Sequence, residues 1–109
     1  MLQNNLYYIV QNEQNVYTIR FDTSHPIFAG HFPKCPIVPG ACLVQITEEL
    51  AAATYGHPVR FTVIRNLRFS RPVTPDQELT VTIKQAEKNT FNVQLSSFNV
   101  VCAQFTAIE

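Results

Sequence analysis

His31-Phe32-Pro33-Lys34-Cys35-Pro36-Ile37-Val38-Pro39-Gly40, continuing from Ala41 to Tyr55, joins a stiff loop to a mostly apolar helix. Pro33, Pro36 and Pro39 each fix φ and each turn the preceding residue away from helix, so the loop is held extended and can aim a side chain. From Gly40 no helix breaker follows until Gly56. Ala41, Cys42, Leu43, Val44, Ile46, Leu50, Ala51, Ala52 and Ala53 fall almost all round a helical wheel, which predicts a helix buried on most sides. Gly56 suits its C-terminal cap and Pro58 prevents its resumption. At the helix start the free N–H groups carry partial positive charge, and Gly40 lets a ligand approach the backbone closely. That is a place to bind a developing oxyanion.

Outward from the helix, the chain reads as strands. Leu6 to Val10 and Val16 to Asp22 are rich in β-branched and aromatic residues, and the polar run Gln11 to Asn15 between them reads as the turn of a hairpin. Thr23 to Gly30 is a connecting loop. Its His25, preceding Pro26, is expected to be extended and solvated. After the helix come strands over Arg60 to Phe69, Glu78 to Gln85, Phe91 to Ser96 and Val100 to Ile108. Alternation is clearest where Leu79, Val81 and Ile83 interleave with Glu78, Thr80, Thr82 and Lys84. Lys88-Asn89 and Ser97 to Asn99 would turn the chain. The expectation is one α+β domain spanning residues 1–109, an antiparallel sheet curled around one central helix.

The eight Lys and Arg balance eight Asp and Glu, so no global charge recruits nucleic acid or an anionic membrane surface. Hydrophobic residues make up 46% and charged residues 15% of the chain, which suits a compact fold with much of its surface against something else, another copy included. No apolar run reaches membrane-spanning length. Met1 to Asn5 lacks the basic start and apolar core of a signal peptide, and the expected location is the cytoplasm. Cys35, Cys42 and Cys102 lack metal-ligand spacing and read as reduced thiols, two of them in or near the core. Cys42 lies close to Gly40, but no basic neighbour in sequence lowers its pKa toward a nucleophile's.

The order His31-Phe32-Pro33, Pro36, Pro39-Gly40 and then the helix resembles the active-site signature of the FabA/FabZ-type 3-hydroxyacyl-(acyl carrier protein) dehydratases, which have the hot-dog fold. Asn66 to Leu79 is similar to a second stretch of the FabZ branch, so the likeness covers roughly His25 to Glu109. His25 to His31 is also similar to the ApeI-like branch found with aryl-polyene and related pigment pathways. The resemblance implies a dehydratase of acyl thioesters carried on the phosphopantetheine of an acyl carrier protein, with no metal and no other cofactor, assembled as a homodimer or larger.

Dehydration needs a base for the α-proton, an acid for the departing hydroxyl and donors for the thioester oxygen. His31 suits the base, since imidazole titrates near neutrality. By resemblance, the Ile37 carbonyl would orient its ring and the Gly40 N–H would bind the thioester oxygen. The family's acidic partner, fourteen residues after the histidine and supplied across a dimer interface, is here Gln45. An amide cannot protonate a hydroxyl. Glu49 lies four residues on, about 40° round the helix and ~6 Å along it, where the family usually has glutamine. The acid and amide look exchanged, and Glu49 is expected to serve as a buried acid through water or through Gln45. The plainer alternative puts Glu48 and Glu49 on a wet face or in ion pairs.

Arg60, Arg65, Arg68 and Arg71 gather half the basic residues within twelve positions with no acid among them. They read either as scattered strand-face arginines or as a docking surface for an acidic carrier protein, with Arg68 and Arg71 the best placed. Two further functions stand beside the dehydratase: a hot-dog thioesterase, and a weakly active or non-catalytic subunit of a heteromeric dehydratase.

Overall fold

The computed structural model describes residues 1–28 and 36–109. The chain runs β1 (Tyr7–Glu13), β2 (Val16–Phe21), a short 3-10 turn (Pro26–Phe28), α1 (Gly40–Tyr55), β3 (Val63–Phe69), β4 (Leu79–Glu87), β5 (Thr90–Ser97) and β6 (Val100–Ile108). One six-stranded sheet has the order β1-β2-β4-β5-β6-β3, antiparallel at every junction. β1 and β3 are therefore its edges.

Alternation decides which face packs. Tyr17, Ile19 and Phe21 of β2, Leu79, Val81 and Ile83 of β4, Phe91, Val93 and Leu95 of β5, and Ala103, Phe105 and Ala107 of β6 are all buried, and the residues between them are not. Helix α1 meets this inner face through Leu43, Ile46, Thr47, Leu50 and Ala51, a stripe at helical spacing. Thr47 is buried without penalty because its hydroxyl donates to the Leu43 carbonyl at 2.9 Å. Gly56 ends the helix in the left-handed region at φ 78°, donating to the Ala52 carbonyl at 2.9 Å.

The expectation of a helix covered on most sides needs a correction. The sheet covers one stripe, and the opposite ridge of Ala41, Gln45, Glu49 and Ala53, spaced four apart, carries the three residues of α1 that are exposed: Ala41, Gln45 and Ala53. The expected turn over Gln11 to Asn15 also shrinks. β1 continues through Glu13, and only Gln14-Asn15 turns, with Gln14 at φ 55°. An edge strand facing solvent tolerates polar residues that imitate a loop.

In β3 the pairing with β6 shifts between Arg65 and Arg68, where Asn66 adopts φ 57°. Residues three apart in a regular strand lie on opposite faces; the bulge cancels that inversion. Arg65 and Arg68 consequently stand opposite Thr106 and Gln104 on the outer face, while Phe69, opposite the buried Ala103, turns inward.

Candidate functional site

Val38 donates its N–H to the Val73 carbonyl at 2.8 Å, tying the chain entering α1 to the segment after β3. Across from it, Ser70 and Arg71 donate to the Cys102 carbonyl at 2.7 and 3.1 Å. These two anchors hold open a largely apolar cleft of about 380 Å³, whose walls include Ile37, Gly40 and Leu43 on one side and Phe69, Arg71 and Val73 on the other. Pro39 carries no capping side chain, and the first amides of α1, Gly40 among them, have no intrahelical partner. The Phe69 ring approaches so closely that a Cβ built on Gly40 would lie 3.1 Å from its Cζ. A side chain at this position would make the ring give way by a few tenths of an ångström. The cleft thus offers an apolar wall, backbone donors at a helix N-terminus and an exposed guanidinium, that of Arg71.

Gln45 and Glu49 belong to a different part of the surface. They lie about 140° and 180° round the helix from Gly40, and neither lines the cleft. Glu49 gathers the N-terminal segment instead. Its Oε2 accepts from the Leu2 N–H at 2.8 Å and from Gln45 Nε2 at 3.2 Å; its Oε1 accepts from the Gln3 N–H and from the Tyr7 hydroxyl, both at 3.0 Å. Burial first, and then the charge of Glu49, push the Tyr7 hydroxyl far above the ordinary tyrosine range, so Tyr7 donates. Glu48 accepts from the Phe61 N–H at 2.7 Å and fixes the chain after the helix. Among the described residues, neither glutamate is paired with a cation. The plainer alternative of ion pairs gives way to two carboxylates that hold backbone amides.

His31 lies outside the described residues, as does Cys35. Burial raises the Cys42 thiol, which is half-buried and does not line the cleft. Arg68 and Arg71 part company: Arg71 sits on the cleft, whereas Arg68 lines a larger polar hollow of about 670 Å³ on the outer face, with Lys84, Asn92, Gln94, Gln104 and Thr106. That hollow lies on the outer face, away from the start of α1, so the smaller cleft, which Gly40 lines, is the candidate site. Sequence reasoning missed Tyr7 and Phe69. Tyr7 reads as one more apolar strand residue, and only an aromatic opposite an invited glycine would have singled out Phe69.

Residues 8–106 match the ApeI-like family, described as ApeI dehydratase. The chain belongs to the ApeI-like dehydratases. A FabZ 3-hydroxyacyl-(acyl carrier protein) dehydratase from Actinobacillus pleuropneumoniae serotype 5b is 40% identical over 70 residues, covering 56% of this chain and 46% of the relative. This ApeI-like chain spans about half the length of the curated relatives it matches. Among solved structures, the dehydratase heterocomplex ApeI:P from Xenorhabdus doucetiae aligns with a TM-score of 0.73 at 22% identity, over 90% of this chain and 89% of that one. The PaaI protein of the Escherichia coli phenylacetic acid degradation operon aligns with a TM-score of 0.61 at 15% identity, over 93% and 79%. At such identities the likeness is one of fold, and the fold of this ApeI-like dehydratase is the expected hot-dog.

Proposed function

We propose that this chain is a hydro-lyase that removes water from 3-hydroxyacyl thioesters, delivered in the cytoplasm on the phosphopantetheine arm of an acyl carrier protein, at sites built by two chains. The observation that carries this reading is the placement of Gly40, the first residue of α1, on the wall of a largely apolar cleft, in a member of a dehydratase family. An acyl chain needs the apolar wall, and a thioester oxygen gaining negative charge needs the donor. His31, oriented by the Ile37 carbonyl, takes the α-proton. Arg71, at the cleft, and Arg68, on the outer face, meet the acidic carrier.

The need for a second chain follows from the helix. Gly40 and the Gln45–Glu49 pair face opposite sides of α1, so one copy cannot direct both at one substrate. The exposed ridge bearing Gln45, with small Ala41 and Ala53 on either side, suits a close partner, and edge strand β3 separately presents Val63, Leu67 and Phe69, 40%, 47% and 49% exposed. The partner is a second copy or a related chain; a heterocomplex among its structural likenesses favours keeping the latter open.

The test is conversion of a 3-hydroxyacyl carrier protein to the 2-enoyl product by the purified chain, with loss of turnover in His31→Ala. Release of free thiol in place of the enoyl product would make the protein a thioesterase. Turnover only after mixing with a second hot-dog chain would make it one subunit of a heteromeric enzyme.

A further inference from the structure

We infer that the hollow on the outer face of the sheet is a second binding site, one that holds the diphosphate of a nucleotide between Arg68 and Lys84. The site is separate from the cleft and does not depend on what the cleft converts.

The strand register builds the hollow. One row of outward side chains crosses the sheet from Arg68 through Gln104 and Gln94 to Thr82. The row beside it starts at Lys84 and passes through Asn92 to Thr106. The short threonines sit low among long neighbours, which leaves a hollow of about 670 Å³, a size usual for small-ligand sites. Its two cations stand at opposite corners. Three strand spacings and one two-residue step separate their Cα atoms, about 16 Å on a regular sheet lattice.

Charge and hydrogen-bonding capacity then select the ligand. Among the described residues, neither Arg68 nor Lys84 is paired with a carboxylate, and no acid lines the hollow. Asn92 Oδ1 already accepts the Thr106 hydroxyl at 3.0 Å, which leaves the Asn92 NH₂ group free to donate. A guanidinium, an ammonium and that amide make a donor-rich lining, which calls for an anion rich in acceptors. Phosphate answers both cations, taking parallel hydrogen bonds from Arg68 and a compact point charge from Lys84. One phosphate is too small for the span between opposite corners, whereas two linked phosphates offer one to each cation. Leu67 also lines the hollow and is 47% exposed. It gives a nucleobase an apolar surface to cover, so the ligand is a nucleoside diphosphate rather than bare pyrophosphate.

Calorimetric titration of the protein with ADP, adenosine and pyrophosphate tests the assignment. ADP should bind at least about tenfold tighter than adenosine, which lacks the phosphates. Arg68→Gln and Lys84→Gln, both at exposed positions, should each weaken ADP binding about tenfold or more. Arg71→Gln, at the cleft, should leave it unchanged. Leu67→Asn should weaken ADP and spare pyrophosphate. ADP binding that survives both substitutions in the hollow, or that Arg71→Gln abolishes, overturns the proposal, as does the absence of any heat with ADP at millimolar concentration. If ADP fails to bind and an acidic carrier protein is held through Arg68 and Lys84 instead, the hollow is a protein-docking face and the nucleotide site is ruled out.

Discussion

The Tyr7 hydroxyl and the Glu49 carboxylate, forty-two residues apart, meet at 3.0 Å and join edge strand β1 to the helix. Removing that hydroxyl in Tyr7→Phe should lower stability by about 2 kcal/mol, as expected for a hydrogen bond to a charged acceptor. The sign of its pH dependence is also fixed. Burial and the charge of Glu49 raise the folded-state pKa above the ordinary value of 10.0, so the folded chain holds this proton after the unfolded chain has lost it. The contribution is complete below about pH 10 and declines as pH rises, by about 1.4 kcal/mol per pH unit for one proton. Urea titrations between pH 8 and 11 should show Tyr7→Phe falling less steeply than the native protein. Parallel slopes would contradict a buried donor.

Gly40 and Phe69 share space that a methyl group would fill. In Gly40→Ala the new Cβ, 3.1 Å from Phe69 Cζ, makes the ring give way by a few tenths of an ångström and narrows the cleft beside the first amides of α1. Turnover should fall by about 10²-fold, the usual loss for a displaced oxyanion donor. Stability should change by less than about 1 kcal/mol, because alanine is a good helix former. Phe69→Leu in the same chain should recover part of the rate. A double variant no faster than Gly40→Ala would show that the ring is not what the methyl group displaces.

The turn between β5 and β6 carries avoidable strain. Phe98 and Asn99 adopt φ 51° and 62°, the two-residue hairpin geometry that favours Asn-Gly, and Phe98 is 79% exposed. A left-handed conformation costs a bulky residue roughly 1–2 kcal/mol. Phe98→Asn should therefore raise stability by about 1 kcal/mol, or about 4 °C in Tm, with unchanged activity. Differential scanning calorimetry on the pair decides it.

The two arginines singled out for carrier docking lie on different surfaces. Arg71 borders the cleft proposed to receive a tethered substrate, and Arg68 faces the outer hollow. Charge reversal in Arg71→Glu should raise KM for a carrier-bound substrate by about tenfold at low salt, and the effect should shrink in 0.5 M salt as screening shortens. Arg68→Glu should raise KM less. The reverse order would move the docking surface to the outer face of the sheet.

Local signals made much of this legible. Proline before and glycine after the apolar run mark α1 at its observed bounds, Gly40–Tyr55, because both residues act on their own backbone. Leu79, Val81 and Ile83 reveal β4 through a period that burial on one face imposes. The partners of Glu49 were not legible: Leu2 and Gln3 lie more than forty positions away and contribute backbone amides, which every residue has. Nor was the face of Arg68, since one bulged residue inverts every later side chain in β3 and Asn66 was its sole mark. Composition likewise places apolar residues round α1 without saying which of them the same chain will cover.

Gln45→Glu bears most directly on the exchanged pair. The new carboxyl would stand beside Glu49, whose oxygens already accept from the backbone amides of Leu2 and Gln3. Two carboxylates so close cannot both ionise easily, and the one without fixed donors, at position 45, takes up the proton. It becomes a general acid next to the departing hydroxyl. Such an acid commonly contributes about 10²-fold or more, so a gain in kcat of about tenfold or more is expected. The pH profile should acquire a descending limb as the new acid loses its proton at high pH. A gain without that limb would mean that the substitution acts through packing of the ridge. A loss of rate would mean that the exchanged pair of Gln45 and Glu49 is functional as it stands.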